Sequence, residues 1–294
     1  MGQAELHAHL GTGVTTVCRA WVVTRRDGTV FGFTDHDRDI SFDGVTFKAE
    51  TGLSARALAQ STGLSVDNTE AMGALSDSAI GEGDIAAGRF DGAEVVAWLV
   101  NWKDATARRI LFRGHIGEVR RGEGAFHAEL RGLSEALNRP VGRVYQKPCT
   151  AVLGDADCGF DLDTGGYAHE GALEGVEESR VFLCGALDGF DPGWFQRGRL
   201  KILSGEAEGL SVMIKRDHHR ADGNRVIEVW EPLRAMVQAG EMVRLEAGCD
   251  KRFETCRLKF NNVMNFQGFP DVPEEDWITV QPTKAKVLNG GSRR

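Results

Sequence analysis

The sequence predicts a mainly β protein with short helices, arranged in more than one unit. Three observations carry that expectation. Asp-Gly dipeptides recur at Asp27-Gly28, Asp43-Gly44, Asp91-Gly92, Asp188-Gly189 and Asp222-Gly223. Between alternating apolar residues such a dipeptide marks a hairpin, because a type I′ turn needs positive φ twice. Apolar runs have strand length, and helical patterning is confined to a few short windows. The length, 294 residues, suits about two ordinary domains.

In chain order, "VCRAWVVTRRDGTVFGFT" (17–34) reads as strand, turn, strand, and "DISFDGVTFKAE" (39–50) repeats the pattern. "TEAMGALSDSAI" (69–80) and "GEGDIAAGRF" (81–90) suggest short helices. "AEVVAWLVNW", "ARRILFRGHIGEVRR" and "GAFHAELRG" make a meander of strands between 93 and 132. "SEALNRP" suggests a short helix begun by Ser134 and stopped by Pro140, because proline cannot continue one. The first domain is placed at 1–140. In the second, 141–275, the strands of "RLKILSGEAEGLSVMIKR" and "NRVIEVWEP", joined by "DHHRADG", form a β-unit of about 165–247. The remainder, 276–294, is polar with a Gly-Gly pair, a tail expected to be disordered or docked on a partner.

Composition narrows the function. Apolar residues at 41% and charged residues at 27% are an ordinary globular balance. A net charge of -8 argues against a general nucleic-acid binder, which needs cations to displace phosphate counterions. No run approaches the ~20 apolar residues of a membrane span, so no membrane anchor is expected. The start, "MGQAELHAHL", has neither a basic nor an apolar signal region, and Leu6 breaks the myristoylation pattern. "TDHDRD" (34–39) gathers Asp35, His36, Asp37 and Asp39 but reads as a solvated loop between hairpins. "GEGDIA" (81–86) carries two acids and follows no clear strand, so it reads as a turn rather than a dinucleotide site. No G-x-S-x-G, H-E-x-x-H or P-loop pattern occurs, and no enzyme activity is expected.

Six cysteines are too few for a secreted disulfide scaffold. Cys18 and Cys184 lie inside apolar strands and read as small buried hydrophobes. The other four fall in two pairs beside Gly and Asp: Cys149 and Cys158 in "CTAVLGDADCG", Cys249 and Cys256 in "GCDKRFETC". Were Cys249 and Cys256 on one helix, seven residues would rise about 10 Å, beyond the ~7 Å Cα limit of a disulfide. With Asp250 as N-cap, Cys249 would precede the helix and Cys256 stand on its second turn. That suits two ligands of one wide centre. Zinc holds its sulfurs closely at about 2.3 Å and usually draws on short C-x₂₋₄-C knuckles, whereas an iron–sulfur cluster tolerates longer spacings. Lys251, Arg252 and Arg257 would favour thiolates. The spacing alone leaves no metal, zinc and iron–sulfur all open.

The pattern Cys149-x₈-Cys158, Cys249-x₆-Cys256, then "KFNNVMNFQGFP" (259–270) resembles the C-terminal domain of the tail tip, or hub, proteins of lambda-like long-tailed phages. "TRRDGTVFGFTDHDRDISFDGVTFKAETG" (24–52) is similar to hub proteins of gene transfer agents. The resemblance implies a multi-domain hub of β-sandwich or barrel-like units and a small α/β C-terminal domain. In that domain Cys149, Cys158, Cys249 and Cys256 would ligate a [4Fe-4S] cluster, with zinc as the alternative metal. It further implies a virion protein assembled in the bacterial cytoplasm: a homotrimer under a hexameric distal tail protein ring, touching the tape measure protein and a central tip or fibre protein. DNA would transit its lumen without specific binding. A soluble iron–sulfur electron-transfer protein and a zinc-stapled binding module are the rival readings. One departure from the family pattern is the ninety residues between Cys158 and Cys249, which require a folded insert to leave the cluster and return to it.

Overall fold

The computed structural model describes residues 2–49, 68–73, 81–122, 125–133, 137, 142–185, 187–221 and 223–272. The chain is mainly β with a few short helices and divides into two compact units, Met1–Pro140 and Val141–Arg294. The helix expected over 134–140 falls, but for Leu137, outside the described residues, as does the tail 276–294. No helix among the described residues is long and apolar enough to cross a membrane.

The first unit holds a six-stranded sheet in the order β2-β1-β6-β7-β8-β5, made of β1 (Val17–Thr24), β2 (Val30–Thr34), β5 (Asn68–Gly73), β6 (Glu94–Asn101), β7 (Asp104–Gly122) and β8 (Ala125–Gly132). Every pairing in it is antiparallel. β1 and β6 are apolar almost throughout because both their faces are covered. Trp21, Val23, Val95 and Ala97 pack with Phe33, Phe90 and Phe112 on one face. Cys18, Ala20, Val22, Val96 and Val100 pack on the other with Phe42 and Phe47. Those two rings belong to the hairpin of β3 (Ile40–Phe42) and β4 (Val45–Phe47) and stack with centroids 4.2 Å apart. Its turn, Asp43 at φ 50° and Gly44 at φ 77°, has the double positive φ of type I′.

The hairpin crosses β2 at Gly32, where an added Cβ would lie 2.6 Å from the Thr46 carbonyl oxygen. The "TDHDRD" stretch is a loop whose acids serve the backbone. Asp35 accepts the Arg19 N–H at 2.6 Å and Asp39 accepts the Ala49 N–H at 2.8 Å. Helix α1 (Gly2–Leu10) covers β7 with Leu6 fully buried. α2 (Glu82–Ala86) stands where "GEGDIAAGRF" predicts a helix. "TEAMG" does not form the expected helix. It is β5, paired with β8 from Asn68↔Arg131 to Gly73↔Phe126, and this non-local ladder overrides the local helical preference of Glu, Ala and Met.

In the second unit six strands close into an antiparallel barrel, β10-β13-β12-β11-β14-β9. They are β9 (Ala168–Glu177), β10 (Val181–Cys184), β11 (Arg199–Ile202), β12 (Ser211–His219), β13 (Arg225–Val229) and β14 (Met242–Glu246). Closure leaves no free sheet edge. Phe182, Phe195, Leu200, Ile202, Ile214, Ile227 and Leu245 fill the interior. Asp217, His218 and His219, expected in a hairpin turn, extend β12 instead. Asp217 turns inward to a doubly hydrogen-bonded pair with Arg225, at 2.6 and 2.7 Å, in which neither side chain is exposed. First and last strands are neighbours, Ala168↔Glu246, and the Ala247 N–H donates to the Tyr167 carbonyl at 2.7 Å. The barrel therefore leaves the chain and rejoins it at one place. Outside it the unit carries α3 (Phe253–Leu258) and a 3-10 turn, Val263–Asn265.

Candidate metal centre

Four backbone stretches converge beside the barrel. Cys149, Cys158, Cys249 and Cys256 line one cavity with Ala151, Leu153, Lys251, Arg252, Phe260, Asn262, Asn265 and Phe266. All four thiols are free. The structure thus brings together the four cysteines that the sequence pairs, and leaves Cys18 and Cys184 in the two cores. Burial pushes Cys18 up to about 11 and Cys184 up to about 12, so both are inert thiols at neutral pH.

The arms are fixed by backbone hydrogen bonds. The Cys149 N–H donates to the Lys251 carbonyl at 2.9 Å, and Lys251, in the left-handed region at φ 66°, returns its ammonium to the Ala151 carbonyl. Asp155 closes the Cys158 arm by accepting the N–H groups of Val152 and Cys158, each at 2.7 Å. Those bonds, Cys158 first, hold its carboxyl below the usual range. The helix of the second pair begins later than expected. Its N-cap is Arg252, and Asp250 instead accepts the Arg252 N–H at 3.0 Å in the preceding turn. Cys249 stays in the loop and Cys256 is the fourth residue of α3.

The "NNVMNFQGFP" stretch (261–270) closes the remaining side. Asn262 receives the Cys256 thiol proton at its carbonyl, 3.2 Å away, and its amide donates to the Cys158 carbonyl at 2.7 Å. The same amide nitrogen is 3.5 Å from the Cys158 sulfur. The Gln267 N–H points at the Cys149 sulfur from 3.4 Å. Gly268 passes against the Lys147 carbonyl with no room for a Cβ, which would also meet the Phe266 ring at 2.7 Å. Phe269 packs on Tyr145, centroids 4.7 Å apart, with the Arg143 guanidinium 5.1 Å from its ring centroid.

The donor chemistry fits a soft metal centre. Among the described residues that line it, the soft ligands are the four thiols, with no carboxylate or imidazole beside them, and Lys251 and Arg252 supply positive charge. Burial, then the charges of Cys249, Cys149 and Cys158, push the Cys256 thiol up to about 11. Burial also raises Cys249, against the opposing pull of the Lys251 N–H and ammonium. Burial first, and then the neighbouring thiols, disfavour the thiolate at Cys249 and Cys256, and a cation among the sulfurs would favour it. Among the described residues, no three His, Cys, Asp or Glu are grouped so that they could hold one metal ion.

Sequence reading missed Lys259. Its ammonium donates to the carbonyls of Trp194 at 2.7 Å and Gly248 at 2.9 Å and lies 4.1 Å from the Trp194 ring centroid. Burial lowers its pKa to about 8. No local pattern in "RLKF" announces this, because both carbonyls come from elsewhere in the chain.

Comparison with known proteins places these observations. Residues 3–161, just over half of the chain, match the family described as baseplate hub protein, N-terminal attachment domain. Residues 193–276 match the family described as phage conserved hypothetical protein BR0599. No curated protein matches the chain. A solved chain from the structure titled "Virion of native gene transfer agent (GTA) particle" superposes with a TM-score of 0.89 at 54% sequence identity, over 98% of this chain and 98% of that one.

Proposed function

Since the chain belongs to the baseplate hub protein family, we propose that it is the structural hub at the distal end of a long tail, in a gene transfer agent or a related phage. The observation that carries this reading is the near end-to-end correspondence with a virion chain at 54% identity. The sheet unit, which the attachment-domain family spans, joins the hub to the tail end above it. Three copies surround the lumen, matching a sixfold ring to a threefold tip and bordering the tape measure and the central tip protein. The net charge of -8 favours passage of DNA over its retention, since like charges repel.

Cys149, Cys158, Cys249 and Cys256 would hold a [4Fe-4S] cluster. Bound there, it would supply cross-linking: metal–sulfur bonds to the four cysteines would join their backbone stretches, so that binding energy would become folding energy. This chain's own part is to present the thiols through Asp155, Asn262, Gln267 and Lys251 and to shield them with Phe260 and Phe266.

Imaging of assembled particles with this chain tagged tests the hub reading. A threefold ring at the tail tip is expected; finding the chain outside purified particles, or in a sixfold ring, rejects it. Iron and sulfide analysis of anaerobically purified protein tests the centre. Iron with matching sulfide supports it, whereas zinc without iron replaces the cluster by the single-ion alternative.

A further inference from the structure

We propose that Lys259 is a positioning residue that couples closure of the barrel to assembly of the four-cysteine centre. One of the two readouts below rests on the ligand reading of those cysteines; the other does not.

Lys259 follows the last residue of α3, three positions after Cys256. Its side chain runs into a polar cavity bounded by Gly193, Gln196, Gly248, Asp250 and Thr255. There its ammonium bonds the Trp194 and Gly248 carbonyls. Gly248 immediately precedes Cys249, and its N–H donates to the same Trp194 carbonyl at 2.9 Å. One side chain thus ties the helix of Cys256, the arm of Cys249 and the loop between β10 and β11.

That loop is anchored in the barrel interior. Arg225 donates to the Phe190 carbonyl at 2.8 Å and the Asp191 carbonyl at 2.6 Å, and Asp217 accepts the Phe195 N–H at 2.8 Å. The Cys249 arm has little freedom to find another seat, because Gly248 lies against the Gln196 carbonyl with no space for a Cβ. A connected path of hydrogen bonds therefore runs from the buried Asp217–Arg225 pair to the backbone arms that carry Cys249 and Cys256.

The chemistry of the amine suits the task. Lys259 lies against Trp194, with Phe260 at 5.4 Å, and such rings stabilise a desolvated cation. A neutral amine keeps two N–H hydrogens, one for each carbonyl, so the clamp holds on either side of pH 8. Length and donors are what the site requires. The β-unit inserted between the ligand pairs becomes the support of the second pair.

The test uses the full chain and the Lys259→Met variant, which keeps length and removes the donors. The first readout is alkylation of Cys249 in metal-free native protein, followed by peptide mass spectrometry with Cys184 as the barrel control. Lys259→Met is expected to label at Cys249 roughly tenfold faster, equivalent to about 1.4 kcal/mol of lost local closure, while Cys184 stays protected. Lys259→Arg, which restores donors, is expected to recover much of the protection. Equal Cys249 rates in wild type and Lys259→Met overturn the proposal. So does Cys184 becoming reactive together with Cys249, because the lysine would then hold the whole barrel. The second readout is iron and sulfide retained under a chelator, expected to fall faster in Lys259→Met and to recover in Lys259→Arg; equal loss in wild type and Lys259→Met overturns the coupling. A wild-type chain without iron would sink the ligand reading of the cysteines, and the alkylation contrast would still decide the clamp.

Discussion

Asn262 shows how much of a four-thiol centre is backbone geometry. Its side-chain amide reaches the Cys158 carbonyl, while its own backbone N–H donates to the Cys256 carbonyl at 3.1 Å. One residue thus joins the first cysteine pair to the second. Asn262→Leu keeps the volume and strands the Cys158 carbonyl, at a cost of about 1–3 kcal/mol. A lower denaturant midpoint for the second unit, with the first unit's midpoint unchanged, is the expected result; an unchanged second transition would deny Asn262 this role. At this scale the sequence is partly legible. Cysteine spacing and "NFQGFP" mark the site because ligands and tight backbone passages demand particular residues, as Gly268 does against Lys147. The roles of Asn262 and Lys259 are illegible there, since their partners include groups far away in sequence.

Among the elements, local chemistry is readable where a turn imposes it. Asp43-Gly44 forms the type I′ turn that its sequence predicts. Asp27-Gly28 also joins two strands, but only Gly28 has positive φ, and the Gly28 N–H closes a turn on the Arg25 carbonyl at 3.0 Å. β5 escapes a local reading because its pairing with β8 is non-local, and α1 escapes it because its burial depends on β7. The Asp217–Arg225 pair is hidden in a stretch that reads as a polar turn. Asp217→Asn leaves the Arg225 charge buried and unpaired, which costs about 3–5 kcal/mol. A fall of that size in barrel stability by chemical denaturation is expected, and a change below about 1 kcal/mol would contradict the pairing. His169 on β9 adds a pH dependence to the barrel. Burial, then the Arg225 charge, lowers its pKa below 6.5, with Glu170 opposing. The unfolded chain therefore takes up the proton first, and stability present above pH 6.5 is lost as pH falls through the folded value. The barrel's melting temperature is expected to drop between pH 7 and pH 5, and His169→Gln to flatten that slope. An identical slope in the variant would assign the acid sensitivity elsewhere.

At the scale of the whole molecule, the division at Pro140 and Val141 gives the two halves different sources of stability. The first unit rests on apolar packing across both faces of one sheet. The second adds to its barrel core a cavity lined by four cysteines, an arrangement that would gain stability if a cation joined their thiols. Removing such a cation is expected to act on one half alone. Calorimetry of anaerobically purified protein should resolve two transitions. Chelation under reducing conditions should lower one of them, and Cys256→Ser should lower the same one without any further loss on chelation. The other transition should stay within about 2 °C, since changes remote from a unit seldom exceed a few tenths of a kcal/mol. If both transitions fell together, the halves would share their stability; if neither moved, the four thiols would be packing residues and the cross-linking role would fail.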